Sequence, residues 1–156
     1  SDPNYIFRND WEEPSYGRDA DNDVFTKLAK TNNDGTITDY GATFEDAVIS
    51  GNGTYTCSMT TGEMGFGEDT AFHFFRVSTD IPSKLVKEGY VTISDVTIKI
   101  GEGKTQSGVV VDTSGDWVKL IVEDNYNNIK ADGVVLTVPA PNTTTVFTFT
   151  VSGLAE

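Results

Sequence analysis

The stretch from Gly41 to Thr60 constrains the fold most, because it joins two strand-forming runs through a glycine-rich turn. Thr43 to Ser50 is the first run, GNG at positions 51–53 is the turn, and Thr54 to Thr60 is the second run. In the second run, tyrosine, cysteine and methionine alternate with threonine and serine, which places the apolar side chains on one face of a strand. The stretch therefore predicts an antiparallel β-hairpin with one buried face.

Similar strand-like patterns recur along the chain. They occur in Ala71 to Val77, Tyr90 to Ile100, Asp116 to Glu123 and Thr144 to Val151, and segments rich in glycine, asparagine or proline separate them. Short strands at intervals of roughly eight to twelve residues are typical of an antiparallel β-sandwich or barrel. We find no internal repeat, and we expect a single all-β domain over residues 1–156.

Outside these strands, the sequence predicts one short helix and several loops. Ser83 to Lys87 is the best candidate for the helix, with Ser83 as its N-cap. Asp124 to Asp132 is rich in asparagine and predicts a loop, whereas Val134 to Val138 predicts a further strand.

The composition limits the partners that the protein can have. The net charge is −13, which disfavours nucleic acids and anionic membrane surfaces because both are polyanions. No apolar run approaches the ~18 residues of a membrane span, so we expect no membrane insertion. Cys57 is the only cysteine, and its place on the inward face of a strand predicts a packed thiol. Neutral polymers, cations and basic partners remain.

The sequence offers little for catalysis. His73 is the only histidine, and it lies between phenylalanines in a predicted strand, where a hydrogen-bonded structural role is favoured over a catalytic one. We find none of the motifs GxSxG, P-loop, HExxH or paired CxxC. We therefore predict that the protein is not an enzyme, although its many carboxylates leave a glycosidase-type acid pair open.

An acidic run near the N-terminus is a candidate calcium site. Asp19, Asp21 and Asp23 place carboxylates at every second residue, and such oxygen ligands can converge on a hard cation. An EF-hand is excluded, because Val24 stands where that loop needs glycine and Lys30 where it needs glutamate. The alternatives are a structural calcium site of another kind and an acidic loop without a metal.

Several aromatic residues lie at positions that favour ligand binding over packing in the core. Trp11 and Tyr16 lie in or beside a polar loop, Tyr126 lies in the asparagine-rich loop, and Trp117 lies on the less apolar side of a strand. Aromatic rings bind the apolar faces of sugar rings, while nearby amides and carboxylates bind sugar hydroxyls. The alternative for Trp117 is packing inside the sandwich.

The aromatic strand from Ala71 to Val77 adds two more candidates. Its apolar residues are distributed over both faces, so neither face is plainly a solvent face. One face is therefore a candidate wall of a ligand groove, and we include His73 and Arg76 among the candidate ligand-binding residues.

Longer segments of the chain resemble a known family. The first strand and its aromatic exit (NYIFRNDW), a polar loop with a second aromatic residue, the segment GATFEDAVISGNGTYTCSM and the closing TVFTFTVSGL resemble carbohydrate-binding β-sandwich modules. These modules are attached to secreted glycoside hydrolases of gut Firmicutes, and the most similar are those of the xylan-binding family 86. The resemblance spans most of the chain and implies a jelly-roll-like sandwich, no catalysis of its own and a plant β-glycan as ligand.

We therefore expect a non-catalytic carbohydrate-binding module that anchors an appended glycoside hydrolase to an extracellular polysaccharide, with xylan favoured. Such a module is expected to be a monomer within a larger, secreted or cell-surface multidomain enzyme. Two alternatives stay open, because fold alone does not specify function. One is an extracellular adhesion or scaffold domain that binds protein, and the other is a small glycoside-active enzyme.

Overall fold

The secondary structure follows the alternating pattern of the sequence. The computed structural model describes residues 7–11, 15–16, 24–25, 29–31, 37–39, 43–63, 72–137 and 140–154, and before residue 43 and at 72–74 it describes the backbone alone. The strands in chain order are β1 (Phe7–Trp11), β2 (Ser15–Tyr16), β3 (Val24–Phe25), β4 (Ala29–Thr31), β5 (Ile37–Asp39), β6 (Thr43–Glu45), β7 (Val48–Ile49), β8 (Gly53–Thr60), β9 (Phe72–Pro82), β10 (Thr92–Ile100), β11 (Gln106–Ser107), β12 (Val110–Asp112), β13 (Trp117–Asp124), β14 (Ile129–Lys130) and β15 (Thr144–Ser152). A short helix, α1 (Ser83–Lys87), follows β9.

The strands form an all-β fold of antiparallel sheets. A seven-stranded sheet, here called the front sheet, has the order β12-β13-β9-β1-β7, with β14 beside β13 and β2 beside β9. A five-stranded sheet, the back sheet, has the order β11-β10-β15-β8-β6, and β3, β4 and β5 form a small third sheet. Every pairing among these described strands is antiparallel, as predicted.

The front and back sheets pack face to face and share one hydrophobic core. Phe75 of β9 and Phe147 of β15 stack across the two sheets with ring centroids 6.3 Å apart. Full burial of one such apolar side chain contributes about 1.5–3 kcal/mol. The period of two decides which residues face inward, and the fully or almost fully buried core residues of the long strands are Cys57, Met59, Phe75, Val77, Ile81, Ile98, Val118, Leu120, Val122, Phe147, Phe149 and Val151.

The predicted hairpin is correct in its second strand and wrong in its first. Glu45 lies opposite Ser58, so β6 does pair with β8, but the run does not continue as one strand to residue 50. After Ala47 the chain leaves the back sheet, and β7 pairs instead with β1 of the front sheet. The reason is burial, because this crossing places Ala47 (5% exposed) and Ile49 (0% exposed) in the core between the sheets.

The segment after this crossing is held by tertiary hydrogen bonds, not by a tight hairpin turn. The Asn52 side-chain amide donates to the Leu154 carbonyl and accepts from the Leu154 N–H, both at 2.9 Å. The Tyr55 hydroxyl donates to the Gly51 carbonyl at 2.7 Å. The Tyr55 bond is local, but the two bonds to Leu154, which is 102 positions away, fix the entry into β8 in a way that local turn signals cannot reveal.

The helix forms where predicted, but its cap differs from the prediction. Pro82 occupies the N-cap position, and Ser83 is the first helical residue. The Ser83 N–H donates to the Asp116 carbonyl at 2.9 Å, so a backbone group from the segment before β13 replaces a side-chain cap.

The strand predicted for Val134 to Val138 is also wrong over its described part, because residues 134–137 form no strand. The side chain of Gln106 makes the two hydrogen bonds to the Val135 backbone that a neighbouring strand would otherwise make. It accepts from the Val135 N–H at 2.7 Å and donates to the Val135 carbonyl at 3.1 Å. Within the asparagine-rich segment predicted as a loop, Ile129–Lys130 instead forms β14.

Cys57 is a packed thiol, as predicted. It is 1% exposed, and burial, together with the charge of Asp46, raises the pKa of its thiol to about 12. A thiol with this pKa is almost entirely protonated at neutral pH and is a poor nucleophile.

Candidate functional site

The first half of β9 gathers most of the candidate ligand-binding residues at one end of the front sheet. On one side of β9, Trp11 of β1 lies opposite Val77, and Tyr16 of β2 lies opposite Phe72. His73 lies on β9 itself. The backbone therefore brings Trp11, Tyr16 and His73 to the same end of the sheet, although their side chains lie outside the described part of the structure.

On its other side, β9 pairs with β13, which brings in a second group of residues. Asp124, the last residue of β13, lies opposite Phe74, and the turn at residues 125–128 follows it. Tyr126 lies in that turn. We call this region, made of Trp11, Tyr16, His73, Arg76 and the 125–128 turn, the aromatic end of the front sheet.

An ion pair between Arg76 and Asp124 lies at the centre of the aromatic end. The Arg76 guanidinium donates to the Asp124 carboxylate through an N–O contact of 2.6 Å. The Arg76 side chain is 11% exposed and that of Asp124 is 1% exposed, so water screens the pair weakly. Ile121, opposite Arg76, is also fully buried, although it lies outside the core cluster between the sheets. The front sheet is thus shielded from solvent at this point on its outer face.

Asp124 also fixes the turn that follows it. One carboxylate oxygen accepts the backbone N–H groups of Tyr126 (3.1 Å) and Asn127 (3.2 Å), and the other accepts the Asn127 side-chain amide (2.8 Å). Burial alone would raise the pKa of Asp124, but the bonds from Asn127 and Tyr126 and the charge of Arg76 outweigh it and hold this pKa below its ordinary value. Asp124 is therefore an ionised anchor for the turn.

This anchored turn presents an aromatic ring to the solvent. Tyr126 is 67% exposed, although the backbone that carries it is held by a buried carboxylate. The strands that flank this turn contribute to a small pocket of about 330 Å³, which is lined by residues of β13, β14 and the segment after them, among them Glu123, Lys130 and Val135. The anchored turn thus presents an exposed ring, and the neighbouring strand segments line a pocket with charged groups of both signs.

Trp117 does not join this group. It begins β13, whereas Asp124 ends it, and the 8 residues of the strand separate the two ends by about 23 Å. Trp117 lies opposite Pro82 and is 52% exposed, so it lies outside the core cluster as well as outside the aromatic end.

Asp124 and Asn127 also belong to the candidate site, and neither was among the residues predicted from the sequence. A local signal was present, because an aspartate that ends a strand before asparagines is a turn-forming residue whose side chain bonds to N–H groups two and three positions later. No local signal links Asp124 to Arg76, which is 48 positions away in the chain.

The predicted calcium ligands Asp19, Asp21 and Asp23 lie outside the described residues. Within the described ranges, no group of three or more His, Cys, Asp or Glu side chains is placed to hold a metal ion. In the same part of the chain, no helix is long and apolar enough to cross a membrane.

Comparison with known proteins gave no match among family models, curated proteins or solved structures.

Proposed function

We propose that the protein is a non-catalytic carbohydrate-binding module whose ligand site is the aromatic end of the front sheet. The observation that carries the proposal is the turn at residues 125–128, where a buried, ion-paired Asp124 holds the backbone and leaves the Tyr126 ring exposed to solvent. Trp11 and Tyr16 reach the same end of the sheet through their pairing with β9. In this proposal Arg76 acts through Asp124, as a positioning residue.

A neutral polysaccharide suits this site better than a charged ligand does. The protein carries a net charge of −13, which repels polyanions, whereas a β-glycan such as xylan carries little charge. Ring stacking supplies the apolar contact, and bonds to sugar hydroxyls replace bonds to water, so each contact has a small net gain. We expect dissociation constants on the order of 10 µM to 1 mM for oligosaccharides. Binding should change little with salt, because salt screens only charge–charge interactions.

The state of Asp124 fits a positioning role and not the role of a catalytic acid. A glycosidase needs a carboxylic acid that is protonated at working pH, so the pKa of that acid must be raised. The pKa of Asp124 is instead lowered, and its carboxylate already accepts from Arg76, Tyr126 and Asn127. This carboxylate is thus suited to positioning a loop and unsuited to protonating a leaving group.

In the full proposal, the module is extracellular, has jelly-roll-like connections and anchors an appended glycoside hydrolase to plant xylan. Anchoring raises the concentration of the enzyme at the polymer surface without any new catalytic contact. This part rests on the resemblance to the xylan-binding modules described above.

The test compares two exposed tyrosines, Tyr126 and Tyr90, which are 67% and 51% exposed. Isothermal titration with xylo-oligosaccharides should show a loss of affinity of roughly tenfold for Tyr126→Ala and no change for Tyr90→Ala, which follows α1 and lies outside the aromatic end. Both variants should keep the melting temperature of the wild type.

A glycan array and a reducing-sugar release assay would complete this test. Binding without sugar release is expected. Release of reducing sugar would favour the glycoside-active enzyme, and absence of any glycan binding would favour the adhesion or scaffold domain. Equal affinities for the two tyrosine variants would show that the site lies elsewhere.

A further inference from the structure

The outer face of the back sheet ends in a cleft of about 570 Å³. Lys99 of β10 and Thr144 and Val146 of β15 form its floor, since they alternate with inward-facing core residues of these strands. Glu102, in the turn after β10, and Asn142, in the loop before β15, belong to its walls. This cleft lies on the sheet opposite to the aromatic end, so it is a separate feature of the molecule.

The wall formed by residues 140–143 is held rigidly by a buried threonine. Thr61, which is 3% exposed, donates its hydroxyl to the Ala140 carbonyl at 2.5 Å and accepts the Thr143 N–H at 3.0 Å. The backbone N–H of Thr61 also donates to the Thr143 carbonyl at 3.0 Å, and that of Asn142 to the Gly62 carbonyl at 3.0 Å. A wall fixed in this way loses little conformational entropy when a ligand binds.

The side chains in the cleft offer both donors and acceptors. Lys99 carries three N–H donors, Glu102 is an acceptor, and the Asn142 amide is both. Within the described ranges, no hydrogen bond or ion pair engages these three side-chain groups. An anion would be repelled by Glu102 and a cation by Lys99, whereas a neutral ligand rich in hydroxyls can use both groups. Val146 adds an apolar surface next to them.

The floor of the cleft continues into a wider face of hydroxyl groups. Thr60 and Thr144 form a pair of hydroxyls 2.8 Å apart, and Thr54 and Thr150 form another 3.0 Å apart, all on the outer face of β8 and β15. A polymer that enters the cleft can therefore extend along a polar, uncharged surface.

We propose that this cleft is a second binding site for a neutral, hydroxyl-rich glycan chain, with Lys99, Glu102 and Asn142 as its hydrogen-bonding residues. The inference rests on the proposed function in its choice of ligand class. The two sites belong to different sheets, the aromatic end to the front sheet and the cleft to the back sheet, so in this proposal they engage different chains and make the module a bridge between neighbouring polysaccharide chains. Bivalent engagement then raises the apparent affinity for the insoluble polymer above that of either site.

The test is a titration of the ¹⁵N-labelled protein with xylohexaose, followed by amide chemical shifts. We expect two groups of shifted amides, one at residues 99–102 and 142–146 and one at 72–77 and 124–128. The Lys99→Gln/Glu102→Gln double variant removes one charge of each sign, so its net charge stays at −13. It should weaken binding at the cleft by roughly tenfold and leave the aromatic end unaffected.

The matched control is Lys104→Gln, since Lys104 is exposed, follows the same turn and does not line the cleft. Lys104→Gln should bind xylohexaose at the cleft with the same affinity as the wild type. A sedimentation assay with soluble xylan adds an independent measurement, because bridging precipitates the polymer and a variant with one site should not.

The outcomes separate this inference from the proposed function. If only the amides at the aromatic end shift at millimolar xylohexaose, the second site is refuted and the proposed function stands. If only the cleft amides shift, the cleft is a glycan site and the placement of the first site is wrong. If neither group shifts, both proposals fall. Equal weakening by Lys104→Gln would also refute the assignment of Lys99 and Glu102.

Discussion

Replacing Asp124 with asparagine should destabilise the protein by about 3–5 kcal/mol, because it breaks a buried ion pair on one side only. Asparagine keeps the shape of aspartate, and its carbonyl oxygen can still accept the N–H groups of Tyr126 and Asn127. Its NH₂ group, however, would face the Arg76 guanidinium, which now lies 2.6 Å from a carboxylate oxygen. The variant therefore places a donor against a donor.

The size of the expected loss of stability follows from the burial of the Arg76 and Asp124 side chains. The two side chains are 11% and 1% exposed, so the remaining Arg76 charge would be largely without water and without its carboxylate partner. Leaving a buried charge uncompensated in this way costs about 3–5 kcal/mol, a large part of the ~5–15 kcal/mol that stabilises a typical domain. The additional change Arg76→Met should recover part of the loss, because it removes the uncompensated charge.

Urea denaturation at pH 7 measures this difference, provided that the slope m is the same for all variants. Asp112→Asn is the matched control. Asp112 also accepts a backbone N–H two residues later, from Ser114 at 3.2 Å, but this bond is exposed. Its loss should cost no more than about 0.5–1.5 kcal/mol. Equal destabilisation by Asp124→Asn and Asp112→Asn would refute the argument from the buried pair.

The loss of stability caused by Asp124→Asn should depend on pH, and the direction of this dependence follows from the lowered pKa of Asp124. The pKa of Asp124 is lowered in the folded protein, so its stabilising contribution is complete above the unfolded value of about 3.9 and is lost as the pH falls through the lower, folded value. Asp124→Asn has no such group to titrate. The difference in unfolding free energy between wild type and variant should therefore be largest near neutral pH and decrease below pH ~4. A difference that stays constant down to pH ~2 would contradict the reasoning.

Other measurements test separate parts of the structure and of the proposal. If Asp21 helps to hold calcium, adding the ion should raise the melting temperature by linkage, and Asp21→Ala should abolish that rise; a wild type unaffected by calcium and EDTA would leave the acidic run without a metal. Trp11→Ala and Tyr16→Ala should remove most of the glycan affinity with little effect on stability, whereas a loss of ~3 kcal/mol or more would place those rings in a core. Cys57, whose thiol pKa is raised to about 12, should react with a thiol reagent only as fast as the protein opens, so rapid labelling of the folded protein would contradict its burial.

Sequence reasoning succeeded where a pattern is local. In the run from Thr144 to Val151, Phe147 and Phe149 alternate with valine and threonine, and both phenylalanines are fully buried in β15. In the run from Tyr90 to Ile100, Val96 and Ile98 alternate with threonine and lysine, and they too are buried. A period of two depends only on neighbouring residues and on one buried face, so it needs no knowledge of the rest of the fold.

Sequence reasoning failed where distant residues decide the structure. The run from Thr43 to Ser50 has strand-forming residues throughout, yet it divides between two sheets. It does so because the crossing buries the side chain of Ile49 in the core between the sheets. Val135 forms no strand because the side chain of Gln106 takes both its backbone groups. The ion pair at the aromatic end joins strands 48 positions apart. In each case the deciding partner lies outside any local window.

In both the aromatic end and the cleft, a buried anchor residue holds a loop. The anchor residues and the loop side chains should therefore respond differently to mutation. At each, a buried polar side chain takes up the backbone groups of a loop, Asp124 for the 125–128 turn and Thr61 for the 140–143 wall. Because the anchor already satisfies the backbone, an exposed loop side chain such as that of Asn142 is not needed to hold the loop and can bind a ligand. Changes at an anchor should therefore alter stability and affinity together, whereas changes at a loop side chain should alter affinity alone.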